Sequence, residues 1–451
     1  MTDAAKHRPS LKQAVTWHRE GQHEKAANAY RALLRATPDN ALLWTNLGAA
    51  LRSMGQLETA MICHRRALHH GPGNITAIAN LGNALRENGR YAEAQTIALI
   101  ERAGQAIGPP GTVARDLQGM EHWRASLAAF DRAMAETPDD PDLPILRATS
   151  HFMTGAFDKG LKDYRQRFRY SPRSKPTRTS PRWTGGQATG RRLLILCEQG
   201  LGDLVLVSRF MPALRSHWKE IWLTSRRPTR RLFGDVPYID RVFDKNDPPE
   251  EGLEDAHIPA MDLMGIFGLT PETCPPPARL SIPQDAQARA ARLTAPYRSM
   301  VKVGICWAGS PSFVQARRKA TDLKHFLDLA KVPGVQLFGM CKGEREADIA
   351  ALGAEGLILN TAATDRDLAD AAALCAQMDL VITVDTALAH VAGSLGVPVW
   401  VVLARPGFWY WGPYGEATYW YKSMRLIRQS TAGDWSGPFA TIRADLEAMV
   451  L

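Results

Sequence analysis

A helical repeat solenoid followed by a two-domain α/β unit is the fold this sequence predicts. Three observations carry that prediction. A 34-residue pattern recurs through positions 1–168, a Pro-, Ser- and basic-rich stretch follows it, and two sets of strand-length apolar runs then alternate with helix-length segments. At 451 residues the chain is too long for one core, so about two or three domains are expected. A hydrophobic content of 45% with 22% charged residues suits a folded globular chain and argues against disorder. No apolar run reaches membrane-spanning length and the opening MTDAAKHRPSLKQ has no apolar signal region, so a cytoplasmic location is expected. Cys63, Cys197, Cys274, Cys306, Cys341 and Cys375 form no CxxC pair, which suggests neither a zinc site nor a redox motif.

The repeat comes first. Trp44, Leu47, Gly48, Leu51, Gly55, Ala60, Ala67 and Pro72 fall at the offsets of a helix–turn–helix unit. The pattern recurs forward at Ile78, Leu81, Gly82, Leu85, Gly89 and Ala94, and backward at Ala14, Trp17, Gly21, Ala26, Tyr30, Leu33 and Pro38. Small residues let two helices approach, large ones fill the gap, and Pro ends the unit. A fourth unit, carried by Trp123, Ser126, Phe130, Ala133 and Pro138, is about two residues out of register. A fifth begins near Pro144 and runs through Ala148, Gly155, Phe157, Gly160 and Tyr164, and Gly104–Gly111 breaks the third unit from the fourth. This array resembles the tetratricopeptide repeat (TPR) family. The resemblance implies a superhelix whose groove holds a peptide or protein, with a dimerisation surface or spacer as the plainer alternative.

The net charge of +9 is concentrated. Ten Lys/Arg and one acid, Asp163, lie between Leu161 and Arg192, so the rest of the chain is near neutral. A nucleic-acid surface interleaves such charge with aromatics on a folded face; SPRSKPTRTSPRWTGG reads instead as a solvated linker. The domain boundaries expected are 1–170 for the repeat array, 171–190 for the basic linker, 191–298 for a first Rossmann-like half and 299–451 for a second, closed by a C-terminal helix.

In the first half, Arg192–Cys197 reads as a buried parallel strand, followed by a glycine turn at 198–203 (EQGLGD) and a helix over Leu204–His217. The third glycine of GxGxxG would fall at Val205, so a dinucleotide fingerprint is disfavoured. What remains is a turn in which Gly200 and Gly202 bring backbone close to a ligand and a helix start projects Asp203; an acid placed there only for the helix dipole is the bland alternative. Further strands are expected at Glu220–Ser225, Asp240–Phe243 and Ala256–Ile258, with His257 at the end of the last. The second half carries strands at Val301–Trp307, Gln336–Met340, Leu357–Leu359, Val381–Val384 and Val399–Leu403.

Chemistry is expected where strand ends meet helix starts. Beside Gly200–Asp203 these places are Trp307, Gly309 and Ser310 with Arg318 and Lys319 soon after; Lys342 past the next strand; and Asp385, Thr386 and His390, where the 379–403 stretch turns from strand to helix. Cations and backbone N–H groups there would neutralise a diphosphate leaving group without metal. Asp365-Arg366-Asp367 has the form of a metal-binding DxD, but two acids opening a helix need no metal to explain them. His257 is a candidate on the acceptor side. The aromatics from Phe408 to Tyr421 either line a sugar or base pocket or pack the two halves together.

These motifs look like a known group. EQGLGD, CWAGSP, DTALAHVAGSLGVPVWVVL and SMRLIRQ…GDW resemble bacterial TPR proteins that carry a GT-B glycosyltransferase domain. That domain is heptosyltransferase-like and distantly like O-GlcNAc transferase. The resemblance implies inverting, metal-independent transfer from a nucleotide-sugar co-substrate, with no cofactor. It implies that Asp203 is the general base, that Arg317–Lys319 contact phosphate, and that Asp385, Thr386 and His390 form the donor turn. A protein acceptor held by the TPR groove is implied as partner, flagellin or another surface protein by analogy. Two departures stand out: the usual Gly of D-T-G is Ala387, and the common Trp-Arg-Trp is Trp409-Tyr410-Trp411. The expected function is therefore a glycosyltransferase. The alternatives are a non-catalytic TPR scaffold with a degenerate GT-B module and, less favoured because it needs no repeat array, a transferase for lipopolysaccharide core.

Overall fold

The computed structural model describes residues 9–71, 74–91, 93, 94, 96, 97, 111–170, 178–188, 190–309 and 319–450. The chain divides into two compact units, Met1–Ser150 and His151–Leu451.

The first unit is helical, as the repeat predicts. Leu11–Arg19 pairs with His23–Leu34, Ala41–Ser53 with Leu57–His70, and Thr112–Gly119 with Trp123–Glu136. The small residues act as expected: a Cβ on Gly48 would lie 2.5 Å from the His64 ring, so only glycine lets these two helices meet there. Asn40 and Asn74, 34 positions apart, each accept a backbone N–H from the first turn of the helix they cap, at 3.1 and 3.0 Å. The turns between helices sit in the left-handed region at Gly21, Gly55 and Gly89. In the fourth unit that place falls to Glu121, at φ 63°, two residues short of the 34-residue step, which is the register slip read from the sequence. Pro72 and residues 104–110 of the expected break lie outside the described residues.

The second unit holds two parallel sheets. In the first the strand order is β3-β2-β1-β4, with β1 Arg192–Leu196, β2 Glu220–Ser225, β3 Arg241–Asp244 and β4 Ala256–Pro259. The second runs β10-β9-β8-β5-β6-β7, with β5 Val301–Cys306, β6 Val335–Gly339, β7 Ile358–Asn360, β8 Leu380–Val384, β9 Val399–Leu403 and β10 Met424–Arg428. Their apolar side chains, such as Leu193, Ile195, Val303, Ile305 and Ile382, are fully buried, which is why both faces of these strands read as continuous hydrophobic runs. The expected helical solenoid and two α/β halves are thus present. β10 is additional to the strands read from sequence. It is an edge strand whose Arg425 pairs with Glu416 and Asp445, so its charges hid it. The helix expected over 204–217 is instead Leu201–Val207 followed by a 3-10 segment, Ser208–Ser216, that contains Pro212.

The solvated-linker reading does not hold for the described part of the basic stretch. Arg178 forms a buried ion pair with Glu254 at 2.6 Å, Trp183 is buried, and Arg182 bridges to His257 beside β4. Residues 171–177 lie outside the described residues. The helical segment at the head of this unit is anchored too. Phe152 stacks on Trp409 at 4.0 Å and Phe157 meets Tyr419 edge-on at 5.9 Å. Arg167 is buried between Glu198 (2.6 Å) and Asp262 (2.8 Å).

Candidate functional site

Each sheet reverses its winding once, between β1 and β4 in the first and between β5 and β8 in the second, and ligands of open α/β sheets sit at the carboxyl ends of such strands. The turn after β1 holds Glu198, Gly200, Gly202 and Asp203; the loops after β5 and β8 hold Trp307, Gly309 and Lys319, and Asp385, Thr386 and His390. The sequence motifs therefore lie at both switch points.

The two turns touch. A Cβ on Gly202 would stand 2.8 Å from His390 Cδ2 and 3.0 Å from the Ala387 backbone, so the Leu201–Val207 helix start rests directly on the Ala387–Ser394 helix. Gly200 opens its helix and donates its N–H to Asp203 Oδ2 at 2.8 Å. Asp203 Oδ1 accepts the Tyr410 hydroxyl at 2.5 Å. Asp203 thus joins the two halves through the residue that replaces the expected arginine.

The turn after β8 has no side-chain cap at its helix start. Thr386 is the N-cap of the Ala387–Ser394 helix, but its side chain meets the Thr383 hydroxyl at 2.9 Å and makes no cap bond to that helix. Gly309 lies against it, its would-be Cβ 3.7 Å from the Thr386 methyl. Lys319 pairs with Asp385 at 2.6 Å and lies over the Phe408 ring at 4.2 Å, which puts one cation beside this helix start. Ser310 and Arg318, with Arg317, lie outside the described residues.

His390 is near the site but sealed. Its ring is 3% exposed, stacks on Trp411 at 5.2 Å and meets the Tyr421 hydroxyl at 3.2 Å. Burial pushes its imidazole down to about 4, against the pull of Asp385 and Asp203.

Three other candidates have partners of their own. Trp307 is fully buried and its indole N–H donates to Asp348 at 2.7 Å. Lys342 donates to the carbonyls of Ala362 and Asp365 at 2.6 and 2.9 Å. His257, expected at a strand end, is a buried residue inside β4: its Nδ1 lies 3.2 Å from the Ser180 hydroxyl, and burial lowers its pKa. The DxD acids are likewise committed, Asp365 to Arg289 at 2.8 Å and Asp367 to Arg231 and the start of the Leu368–Cys375 helix.

Several residues at the site were not singled out from sequence. Glu198, inside the EQGLGD turn, is an anchor: it takes Arg167 and the backbone N–H groups of Ala260 and Met261. Burial raises its carboxyl pKa despite the Arg167 charge. Arg209 is buried between Trp420 and Tyr421 and donates to the Trp420 carbonyl at 2.9 Å, tying the halves together behind His390. Nothing in the spacing of Arg167 or Arg209 marks them, because their partners are far away along the chain. A separate cavity of about 480 Å³ begins one residue past Lys319, between Thr321, His325, Arg345 and Trp435, and shares no residue with this cluster.

Residues 302–423 match the model of glycosyltransferase family 9 (heptosyltransferase), and residues 29–61 match that of the tetratricopeptide repeat. Among curated proteins, Protein FlbA of Caulobacter vibrioides is 27% identical over 460 residues, covering 95% of this chain and 71% of that protein. Among solved structures, E. coli ADP-heptose lps heptosyltransferase II is 15% identical and covers 58% of this chain and 100% of its own, at a TM-score of 0.42. A family 9 glycosyl transferase from Veillonella parvula is 13% identical and covers 58% and 93%, at 0.41. MamA is 15% identical and covers 37% and 100%, at 0.32.

Proposed function

We propose that this chain, which carries tetratricopeptide repeats and a glycosyltransferase family 9 (heptosyltransferase) domain, moves a sugar from a nucleotide-sugar donor to a protein held by its repeats. One observation carries the reading: Gly202 presses on Ala387 and His390, so the turn bearing Asp203 and the turn bearing Thr386 are packed directly against each other. In the reaction proposed, Asp203 takes the proton of an acceptor hydroxyl and the freed oxygen attacks the anomeric carbon. The bond from that carbon to the nucleotide diphosphate breaks in the same displacement, inverting the centre. The uncapped helix start at Thr386, and Lys319 once it turns from its Asp385 partner, meet the charge that develops on the leaving diphosphate. A metal-free mechanism is supported by the pairing of Asp365 and Asp367 with arginines.

Calorimetric titration with nucleotide sugars, followed by transfer assays on Asp203→Asn, tests this. Donor binding is expected to persist in the variant while transfer falls by about 10²–10⁴-fold, the usual worth of a general base. Full transfer by the variant would remove Asp203 from that role.

A second reading has its own support. Lys342, Trp307 and the proposed base all have partners within the chain, as they would in a module that no longer turns over substrate. Under that reading the chain is a repeat scaffold, and no nucleoside diphosphate binds.

A further inference from the structure

We infer that Tyr410 is a positioning residue for sugar transfer, its phenol holding the Asp203 carboxylate in the orientation that meets the acceptor. The inference rests on the reading of Asp203 as the base. The carboxylate receives one donor on each oxygen, the Gly200 N–H at 2.8 Å from its own half and the Tyr410 hydroxyl at 2.5 Å from the other. A carboxylate oxygen has two lone pairs, so both oxygens stay able to accept a proton while the group as a whole cannot rotate. Tyr410 is itself fixed. It is 4% exposed, its carbonyl accepts the Trp420 indole N–H at 2.7 Å, and its ring stands edge-on to His390 at 5.9 Å and to Trp409 at 4.3 Å. Burial, and then the Asp203 charge, raise the phenol's pKa well above its ordinary value, so it remains a donor throughout the neutral range. An arginine at this position would bring a full positive charge; the phenol is a neutral donor of a single hydrogen bond.

The test is a double-mutant cycle on the full chain with Tyr410→Phe, Asp203→Asn and the pair. Phe keeps the ring packing and removes the hydroxyl. With a panel of UDP-, ADP- and GDP-linked sugars as probes, Tyr410→Phe is expected to lower kcat by about tenfold or more with the donor KM within about twofold, as for an interaction felt mainly in the transition state. In the Asp203→Asn background the same change is expected to cost nothing further in kcat, because there is no longer a base to orient. A Tyr410→Phe loss that persists undiminished beside Asp203→Asn overturns the positioning role and leaves the transferase reading intact. A loss expressed only in donor KM also overturns it, since that would make Tyr410 a binding residue. Absence of turnover by the unaltered protein with every donor overturns the transferase reading and the positioning role with it. In that case urea midpoints of the same four proteins would show only a structural pairing.

Discussion

His64 in the repeat unit and His390 in the α/β unit share an environment and differ in what stands behind it. Each ring is sealed, at 0% and 3% exposure, and each presses on a glycine whose Cβ would clash with it, Gly48 at 2.5 Å and Gly202 at 2.8 Å. Burial pushes both imidazoles down to about 4. Yet both ring nitrogens of His64 lack a hydrogen-bond partner, whereas His390 meets Tyr421 and feels the charges of Asp385 and Asp203. In the array the contact joins two helices of one hairpin and supports packing alone. In the α/β unit the same contact joins two halves of a proposed active site. A histidine against a glycine is a way to bring backbones together, and only its surroundings give it a place near chemistry.

A methyl group added at each glycine separates the two contacts most strongly. Gly202→Ala would force its Cβ into the Ala387 backbone, which cannot yield, so the halves part; a loss of about 1–3 kcal/mol in stability is expected, with donor turnover abolished. Gly48→Ala meets only the His64 ring and is expected to cost a similar amount in the repeat unit while leaving donor turnover unchanged. Urea unfolding and a transfer assay on the two variants decide it; equal loss of turnover in both would erase the distinction.

Acid should act on both histidines. Each folded-state value of about 4 lies below the ordinary 6.5, so the fold favours the neutral ring. The contribution is complete above pH 6.5 and drains away as pH falls towards 4, by at most about 3 kcal/mol per histidine. His64→Leu leaves no unpaired ring nitrogen in the core. It is expected to flatten this acid loss and to raise stability by about 1 kcal/mol at pH 5, read from urea midpoints at pH 5 and 7.5. An unchanged pH dependence would clear His64 of the effect.

The smallest effect concerns the turns. Glu121 occupies the left-handed position that glycine fills at 21, 55 and 89. Glu121→Gly is expected to gain about 0.5–1 kcal/mol, and Gly55→Ala to lose about 1 kcal/mol, in the thermal transition of the repeat unit. A loss on Glu121→Gly would mean that its side chain contributes more than the backbone strain costs.

These contrasts also mark what the sequence could reveal. Periodic features were legible: the helix pairs, the two-residue slip that surfaces at Glu121, and the parallel strands written as apolar runs. So were the two turns at the switch points, because glycine and acid beside a strand end have a local meaning. Long-range pairings were not. Tyr410 reads as one aromatic among many until Asp203, far away along the chain, is found against its hydroxyl. Trp307 and Lys342 sit at the expected strand ends, yet their side chains turn to Asp348 and to backbone carbonyls, a choice set by rotamer and not by position. β10 escaped because its edge arginines interrupt the apolar pattern.

Arg167 has one further consequence, for how such a chain could be assembled from parts. By pattern it follows the last repeat; by charge it belongs to the fold behind it, where it neutralises Glu198 and Asp262. A recombination event that joined a foreign repeat array at the basic stretch would delete it and leave two buried carboxylates with one fewer counter-charge. Removing one partner of a buried ion pair typically costs about 3–5 kcal/mol. An exchange of the array that keeps both contacts therefore needs its joint upstream of Phe152, so that the stretch from there to Arg167 stays with the α/β unit as an adapter.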